Sequence, residues 1–147
     1  MIQLRNFTTE DAEAFQQRCE RAMSLSEIKA MFAQWNEKEY AGKWFEMFAV
    51  LNDGKLAGMV SLYQQSESAV SCGPEIFPTY RKQGIGQKAM ELALEIAKSR
   101  GYKIVLQQIR ADNAASLALH RKLGFETNGY EYQNQKGNTV LLYFRVL

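Results

Sequence analysis

The sequence predicts an α/β fold: a mixed, mostly antiparallel central sheet of about seven strands, flanked by about four helices. Three observations predict it. Between Trp44 and Phe77, segments of strand period follow one another directly, which calls for hairpins. Elsewhere strands are separated by helical patterns, which calls for crossovers and a sheet of mixed sense. A glycine-rich turn, Arg81-Lys82-Gln83-Gly84-Ile85-Gly86, joins the run Glu75-Ile76-Phe77 and Pro78 to a helical pattern over Gln87 to Gly101.

Each element has its own warrant. Ile2 to Phe7 alternates apolar and polar residues, as a half-buried strand does. Thr8 or Thr9 opens a first helix, with Asp11 also in the capping region and Ala12, Phe15, Cys19 and Ala22/Met23 as its apolar stripe. A second helical pattern runs from about Ser26 to Tyr40, with Ile28, Met31, Phe32 and Trp35 on one side. Trp44 to Leu51 and Lys55 to Tyr63 read as a hairpin around Asn52-Asp53-Gly54. Ala69 to Phe77 is the strand that enters the glycine turn. The helix beyond it carries Ile85, Ala89, Leu92/Ala93 and Ile96/Ala97 inward and stops at Gly101. Ile104 to Ile109 is a strand, about Asn113 to Leu123 a short helix, and Gly129 to Gln133 with Thr139 to Val146 a closing pair of strands.

The 147 residues suit one domain, 1–147, with a substantial core. A net charge of +2 without a dense basic block argues against a nucleic-acid partner. The longest apolar runs, such as Met47 to Leu51, suit a strand and not a membrane span. Met1 to Arg5 lacks the regions of a signal peptide. Cys19 and Cys72 match no metal spacing and read as reduced thiols in a cytoplasmic protein, and a single histidine argues against a metal site.

The glycine turn points to function. A strand feeding such a turn at a helix start leaves amides without intrahelical partners, and the helix dipole favours an anion there. Gly84 and Gly86 permit close backbone approach, while Arg81 and Lys82 add mobile charge for phosphate oxygens. The expectation is a phosphate-bearing cofactor held at this turn. Farther on, Asn113, Ser116 and His120 fall within about 60° of one another on a helix, forming one polar stripe.

With these residues in view, the chain resembles the GNAT superfamily of N-acetyltransferases. The family's Arg/Gln-x-x-Gly-x-Gly/Ala loop is similar to Arg81 through Gly86, and its preceding Pro-x-Tyr-Arg to Pro78 through Arg81. Its Asn-x-x-Ala/Ser-x-x-x-Tyr-x-x-x-Gly-Phe is similar to Asn113 through Phe125, and the element order agrees over nearly the full length. The resemblance implies acetyl-CoA as co-substrate, no metal, and an amine acceptor whose identity the motifs do not give. It implies that the amides of Lys82, Gln83, Gly84, Ile85, Gly86 and Gln87 hold the pyrophosphate. The pantetheine arm would lie between splayed strands ending at Phe77 and starting near Ile104. Backbone groups of Ile76 and Phe77 would bind it, and one of those amides would polarise the thioester. Asn113 and Ser116 would face the cofactor.

Two departures stand out. His120 replaces the family's tyrosine, which protonates the departing thiolate; it either takes that role or caps the stripe while water does so. Gln108-Ile109-Arg110 stands where relatives acting on protein N-termini carry Glu-Val-Arg, so Glu75 is the candidate base, acting through water, with an exposed strand carboxylate as its other reading. Glu46 is a weaker candidate. Tyr40 and Trp44 are candidate acceptor-pocket walls, while Trp35 and Phe48 read as packing. A homodimer through a sheet edge or the tail strands is a candidate assembly. The alternative to an enzyme is a non-catalytic acyl-CoA-binding sensor that keeps the loop and lacks the chemistry.

Overall fold

A computed structural model describes residues 1–147. Its strands are β1 (Ile2–Asn6), β2 (Glu39–Tyr40), β3 (Lys43–Asn52), β4 (Lys55–Gln64), β5 (Ala69–Ile76), β6 (Ile104–Arg110), β7 (Glu131–Gln133) and β8 (Thr139–Val146). Its helices are α1 (Ala12–Arg18), α2 (Leu25–Trp35), α3 (Ile85–Ser99) and α4 (Ala114–Lys122), with short 3-10 turns at Thr9–Asp11 and Pro78–Tyr80. The sheet runs β1-β3-β4-β5-β6-β8-β7, with β2 added alongside β3. Every pairing is antiparallel except β5 with β6. No helix is long and apolar enough to cross a membrane.

The eighth strand is a correction to the sequence reading. The second helix stops at Trp35, short of Tyr40, because Lys38 and Ala41 take left-handed backbone angles (φ 58° and 51°) that turn the chain back onto β3. Glu39 and Tyr40 then pair with Trp44 and Lys43. The first helix is also shorter than its apolar pattern. It ends at Arg18, leaving Cys19 at its cap and Ala22 and Met23 outside. The β3–β4 turn is as expected: Asp53 and Gly54 both have positive φ (50° and 81°), the hand that matches strand twist in a two-residue hairpin.

β3 alternates between two cores, one on each face of the sheet. Phe48 and Val50 face α3, whose alanines 89, 93 and 97 recur at one-turn spacing and let the helix lie close to the sheet. Ala49 and Leu51 face α1 and α2, where Phe7, Phe15 and Phe32 pack as an aromatic cluster. Phe7 stacks on Phe32 at 4.5 Å, and Phe15 meets Phe77 edge-on at 5.5 Å. Such pairs contribute about 0.5–1.5 kcal/mol each beyond area burial. Phe77 thereby anchors the end of β5.

The entry into α1 is fixed by one carboxylate. Asp11 accepts from both Arg5 Nη1 and Nη2 at 2.8 Å, and from the Thr8 amide at 2.8 Å. Burial alone would raise its pKa; the hydrogen bonds from Arg5 and Thr8 outweigh that and hold it below the usual carboxylate value.

The decisive feature lies between β5 and β6. Their backbone pairing is limited to Ala69 with Ile104 and Val70 with Val105. Beyond it, Ser71 Oγ donates to Leu106 O at 2.8 Å and the Cys72 amide to Gln107 Oε1 at 3.2 Å. On the other side β5 stays tightly registered to β4. A Cβ on Gly58 would stand 2.4 Å from Glu75 O and 2.9 Å from Ile76 Cα, so only glycine lets the two strands approach there.

Gly58→Ala is therefore expected to cost about 1–3 kcal/mol in thermal or denaturant unfolding, since backbone must shift to admit the methyl. Asp11→Asn should cost about 1.5–3 kcal/mol at neutral pH. Because the folded pKa is depressed, this stabilisation is full above the unfolded value near 4. It is lost as pH falls through the folded value, so stability curves of wild type and variant should converge in acid.

Candidate functional site

The glycine turn forms an open nest of donors at the start of the fifteen-residue helix α3. The backbone amides of Lys82 through Gln87 have no hydrogen-bond acceptor within the chain; the helical ladder begins with Lys88 N donating to Gly84 O at 3.2 Å. Lys82 (φ 63°) and Gly84 (φ 76°) both adopt the left-handed region. For the lysine that conformation costs on the order of 1 kcal/mol, a strain found where a backbone is shaped for a ligand. Space around Gly84 is open, whereas a Cβ on Gly86 would lie 3.4 Å from Ile76 Cγ1 and 4.0 Å from Leu119 Cδ2. Gly86 is thus the floor between the end of β5 and α4.

Side chains around the nest divide in two. Lys82 is exposed and has no ion-pair partner. Arg81 is tied down: its Nε donates to Ile76 O at 2.9 Å and its Nη2 pairs with Glu20. This corrects the expectation of a mobile arginine charge, because a guanidinium held by a carbonyl and a carboxylate presents less free charge to an anion. Gln83 and Gln87 direct their side-chain amides to Thr79 O and Glu91, leaving their backbone N–H groups to the nest.

Strand parity sorts the donors at the end of β5. The Phe77 amide donates to Ala57 O at 2.9 Å, so Phe77, Glu75 and Gly73 bond toward β4. The expected role of the Phe77 amide is therefore corrected: that donor is used. Cys72, Pro74 and Ile76 point the other way, into the gap before β6. Cys72 N is taken by Gln107, and Pro74 has no N–H. Ile76 N–H is the free backbone donor that β5 offers to the gap. Proline within a strand is tolerated where no ladder bond is needed, and Pro74 stands where β5 has no backbone partner on the β6 side.

The polar stripe on α4 splits by depth. Asn113 caps the helix, its Oδ1 accepting from Ser116 N at 3.1 Å; its Nδ2 has no partner. Ser116 is half-buried. His120, by contrast, is 1% exposed and turns under the helix, edge-on to Phe125 at 4.8 Å and 6.2 Å from the Tyr143 ring. Its Nδ1 lies 2.8 Å from Ser116 O, an acceptor, so the ring proton sits on Nδ1. Nε2 and the Tyr143 hydroxyl are buried without partners. Burial pushes the His120 pKa down, offset in part by the Ser116 carbonyl. At neutral pH the imidazole is neutral and its one N–H is engaged. Ser116 Oγ also comes within 3.4 Å of His120 Nδ1, so the stripe is continuous but runs from exposed Asn113 inward to buried His120, a depth that a helical wheel does not give.

Glu75 is exposed and without a partner, opposite Met59 on β4. Glu46 is 8% exposed and held by Asn6 Nδ2 (3.0 Å), Trp44 Nε1 (3.3 Å) and Lys38 Nζ (3.6 Å), an arrangement that suits packing. Trp44 stacks on Tyr102 at 5.5 Å with the Arg100 guanidinium 3.9 Å from its ring, so it is not a pocket wall. Tyr40 is exposed beside Tyr63 at 5.9 Å. Sequence reasoning missed Gly58, Leu119 and Gln107, whose importance lies in contacts between distant segments.

Comparison with known proteins gives this geometry a family. The model described as the acetyltransferase (GNAT) family matches residues 4–125. The ribosomal protein bS18-alanine N-acetyltransferase of Escherichia coli K12 is 29% identical over 102 residues, covering 67% of this chain and 69% of that protein. An acetyltransferase of Salmonella typhimurium that modifies the N-terminal serine of ribosomal protein L7/L12 superposes with a TM-score of 0.78 at 21% identity, over 99% of this chain and 95% of that one. A second Salmonella typhimurium structure, a putative acetyltransferase with its cofactor acetyl-CoA, gives 0.71 at 15% identity, over 100% and 94%. A donor nest at a helix start, opening into a gap between two parallel strands, is thus set in a chain that belongs to the GNAT acetyltransferase family and uses acetyl-CoA to acetylate an amine.

Proposed function

We propose that residues 1–147 form a single, cytoplasmic N-acetyltransferase domain whose acceptor is the free α-amino group of a polypeptide. The observation that carries the donor half is the run of unpartnered amides from Lys82 through Gln87 beside the free Ile76 N–H. The acceptor half is supported by two similar proteins, one named for an alanine of ribosomal protein bS18 and one for the N-terminal serine of ribosomal protein L7/L12.

On this reading those amides and the Lys82 ammonium bind the pyrophosphate of acetyl-CoA. Gly86, Ile76 and Leu119 flank the pantetheine arm, with Asn113 Nδ2 and Ser116 above it. Acetyl-CoA supplies the thioester. The neutral amine attacks its carbonyl carbon, the C–N bond forms, and negative charge develops on the carbonyl oxygen. Ile76 N–H is aimed at that charge; a fixed donor of this kind contributes about 3 kcal/mol to barrier lowering. The C–S bond then breaks, the amine nitrogen loses a proton and the thiolate gains one. Exposed and unpaired, Glu75 accepts the amine's proton through water. The thiolate's proton comes from solvent, because the His120 N–H is committed to Ser116 O. His120 is a positioning residue that fixes α4.

Titration calorimetry should show acetyl-CoA binding to wild type and at least tenfold weaker binding to the Gly84→Glu, Gly86→Glu double variant. The acceptor is checked with radiolabelled acetyl-CoA and peptides bearing free or blocked N-terminal alanine or serine: label should enter only the free ones. Binding without transfer to those peptides or to a panel of free amines would favour the sensor reading.

His120→Gln removes titration and keeps a donor. It should lower kcat less than tenfold and leave the kcat–pH profile unchanged, whereas an acid role predicts a loss of about 10²–10⁴. Stability gives the matching signature. With the folded pKa below the ordinary 6.5, the unfolded chain takes up the proton first, so wild type loses stability as pH falls from about 6.5 toward the folded value. The variant should lack that loss.

A further inference from the structure

One face of the sheet is only partly covered by the protein's own core. α1 and α2 pack over Ala49, Leu51 and Met59 on that face. Strand parity puts Phe45, Tyr63, Leu106, Leu142 and Phe144 on the same face, and these residues pack against neither core. Phe45 stands opposite Tyr63, Tyr63 opposite Ser71, and Leu106 opposite Phe144. Ser71 Oγ reaches Leu106 O at 2.8 Å, which joins the two halves into one row. A contiguous apolar row without a core is the mark of an interaction surface.

The row has a low centre. Ser71, and Gly73 two residues nearer the mouth of the gap, carry little or no side chain, while Tyr63 and Leu106 stand on either side. They make a shallow groove along β5 that leads to Glu75 and the Ile76 N–H. α3 and α4 close the opposite face, so an acceptor reaches a thioester in the gap from this side. Between Glu75 and the row the groove carries no charge; Lys43 and Glu126 stand at its rim, the latter opposite Phe144.

Length identifies the occupant. Ser71 lies four residues from Glu75, about 13 Å along an extended strand. An extended acceptor whose amino group meets the thioester at the mouth lays its fourth or fifth residue over the row. Resting on the polypeptide-acceptor reading above, we infer that this groove docks the acceptor's own chain, with an uncharged, apolar side chain at position four or five packed between Tyr63 and Leu106. These two residues select among acceptors without touching the reacting atoms.

The test uses radiolabelled acetyl-CoA and peptides sharing a free N-terminal alanine: one of three residues, and three of seven residues with leucine, alanine or aspartate at both positions four and five. On wild type, the leucine peptide should exceed the short one about tenfold in kcat/KM, through KM, and the aspartate peptide should lose that gain. Leu106→Lys should reverse the order of the leucine and aspartate peptides, and Tyr63→Ser should weaken the leucine peptide. Both should keep the calorimetric Kd for acetyl-CoA, and kcat on the short peptide, within about threefold. Equal kcat/KM for all peptides on wild type overturns the groove and leaves the polypeptide reading intact, a result that needs no variant to fold. Variants that slow the short peptide as much as the leucine one overturn it too, because a structural role does that. A wild-type dimer in light scattering that Leu106→Lys splits means that a second copy covers the face, which also overturns it. Transfer to free amines and to no peptide overturns both readings.

Discussion

The structure depends on a parallel strand pair that is allowed to fail. After Val70 and Val105 the β5–β6 ladder stops while both strands continue, which leaves backbone polar groups facing a gap inside an otherwise closed sheet. Backbone donors that lose a partner must find another or face water. Here the gap is open at its mouth, so the exposure is tolerable and the groups stay available. Packing on the two faces keeps the gap from closing. Phe77 is gripped by Phe15 in the aromatic cluster, and α3 lies close on its alanine stripe. The narrow β4–β5 contact at Gly58 pins β5 from the far side.

The anion nest follows from the same constraint. α3 begins directly beyond the end of β5, so its unpaired amides and the gap share one edge. Arg81 strengthens that continuity by binding Ile76 O and Glu20. A residue whose charge suggests ligand binding serves here to brace the strand end, and the nest relies on amides, the helix dipole and Lys82.

The chemistry of α4 shows how burial decides a role that residue type leaves open. Histidine in solution titrates near neutrality and donates in either form. Under α4, desolvation favours the neutral ring and the Ser116 carbonyl holds its proton on Nδ1, so the inward Nε2 carries a lone pair. The same residue at the surface would have a different tautomer balance and a different use.

The fold was legible in the sequence because its signals are local. Alternation marks β1, Asp53-Gly54 marks the hairpin, and the periodicity of Ile85, Ala89, Ala93 and Ala97 marks α3. The nest was legible for the same reason, since six consecutive amides, Lys82 to Gln87, belong to one short segment whose glycines dictate its backbone. Only tertiary structure decided the rest. It ended α2 early so that Glu39 and Tyr40 could pair with β3, turned His120 inward and Arg81 back, used the Phe77 amide on Ala57, and set Gln107 across the gap from Cys72. Each of these turns on a partner distant in sequence or on depth below the surface, and neither is encoded in the spacing of residues along one chain segment.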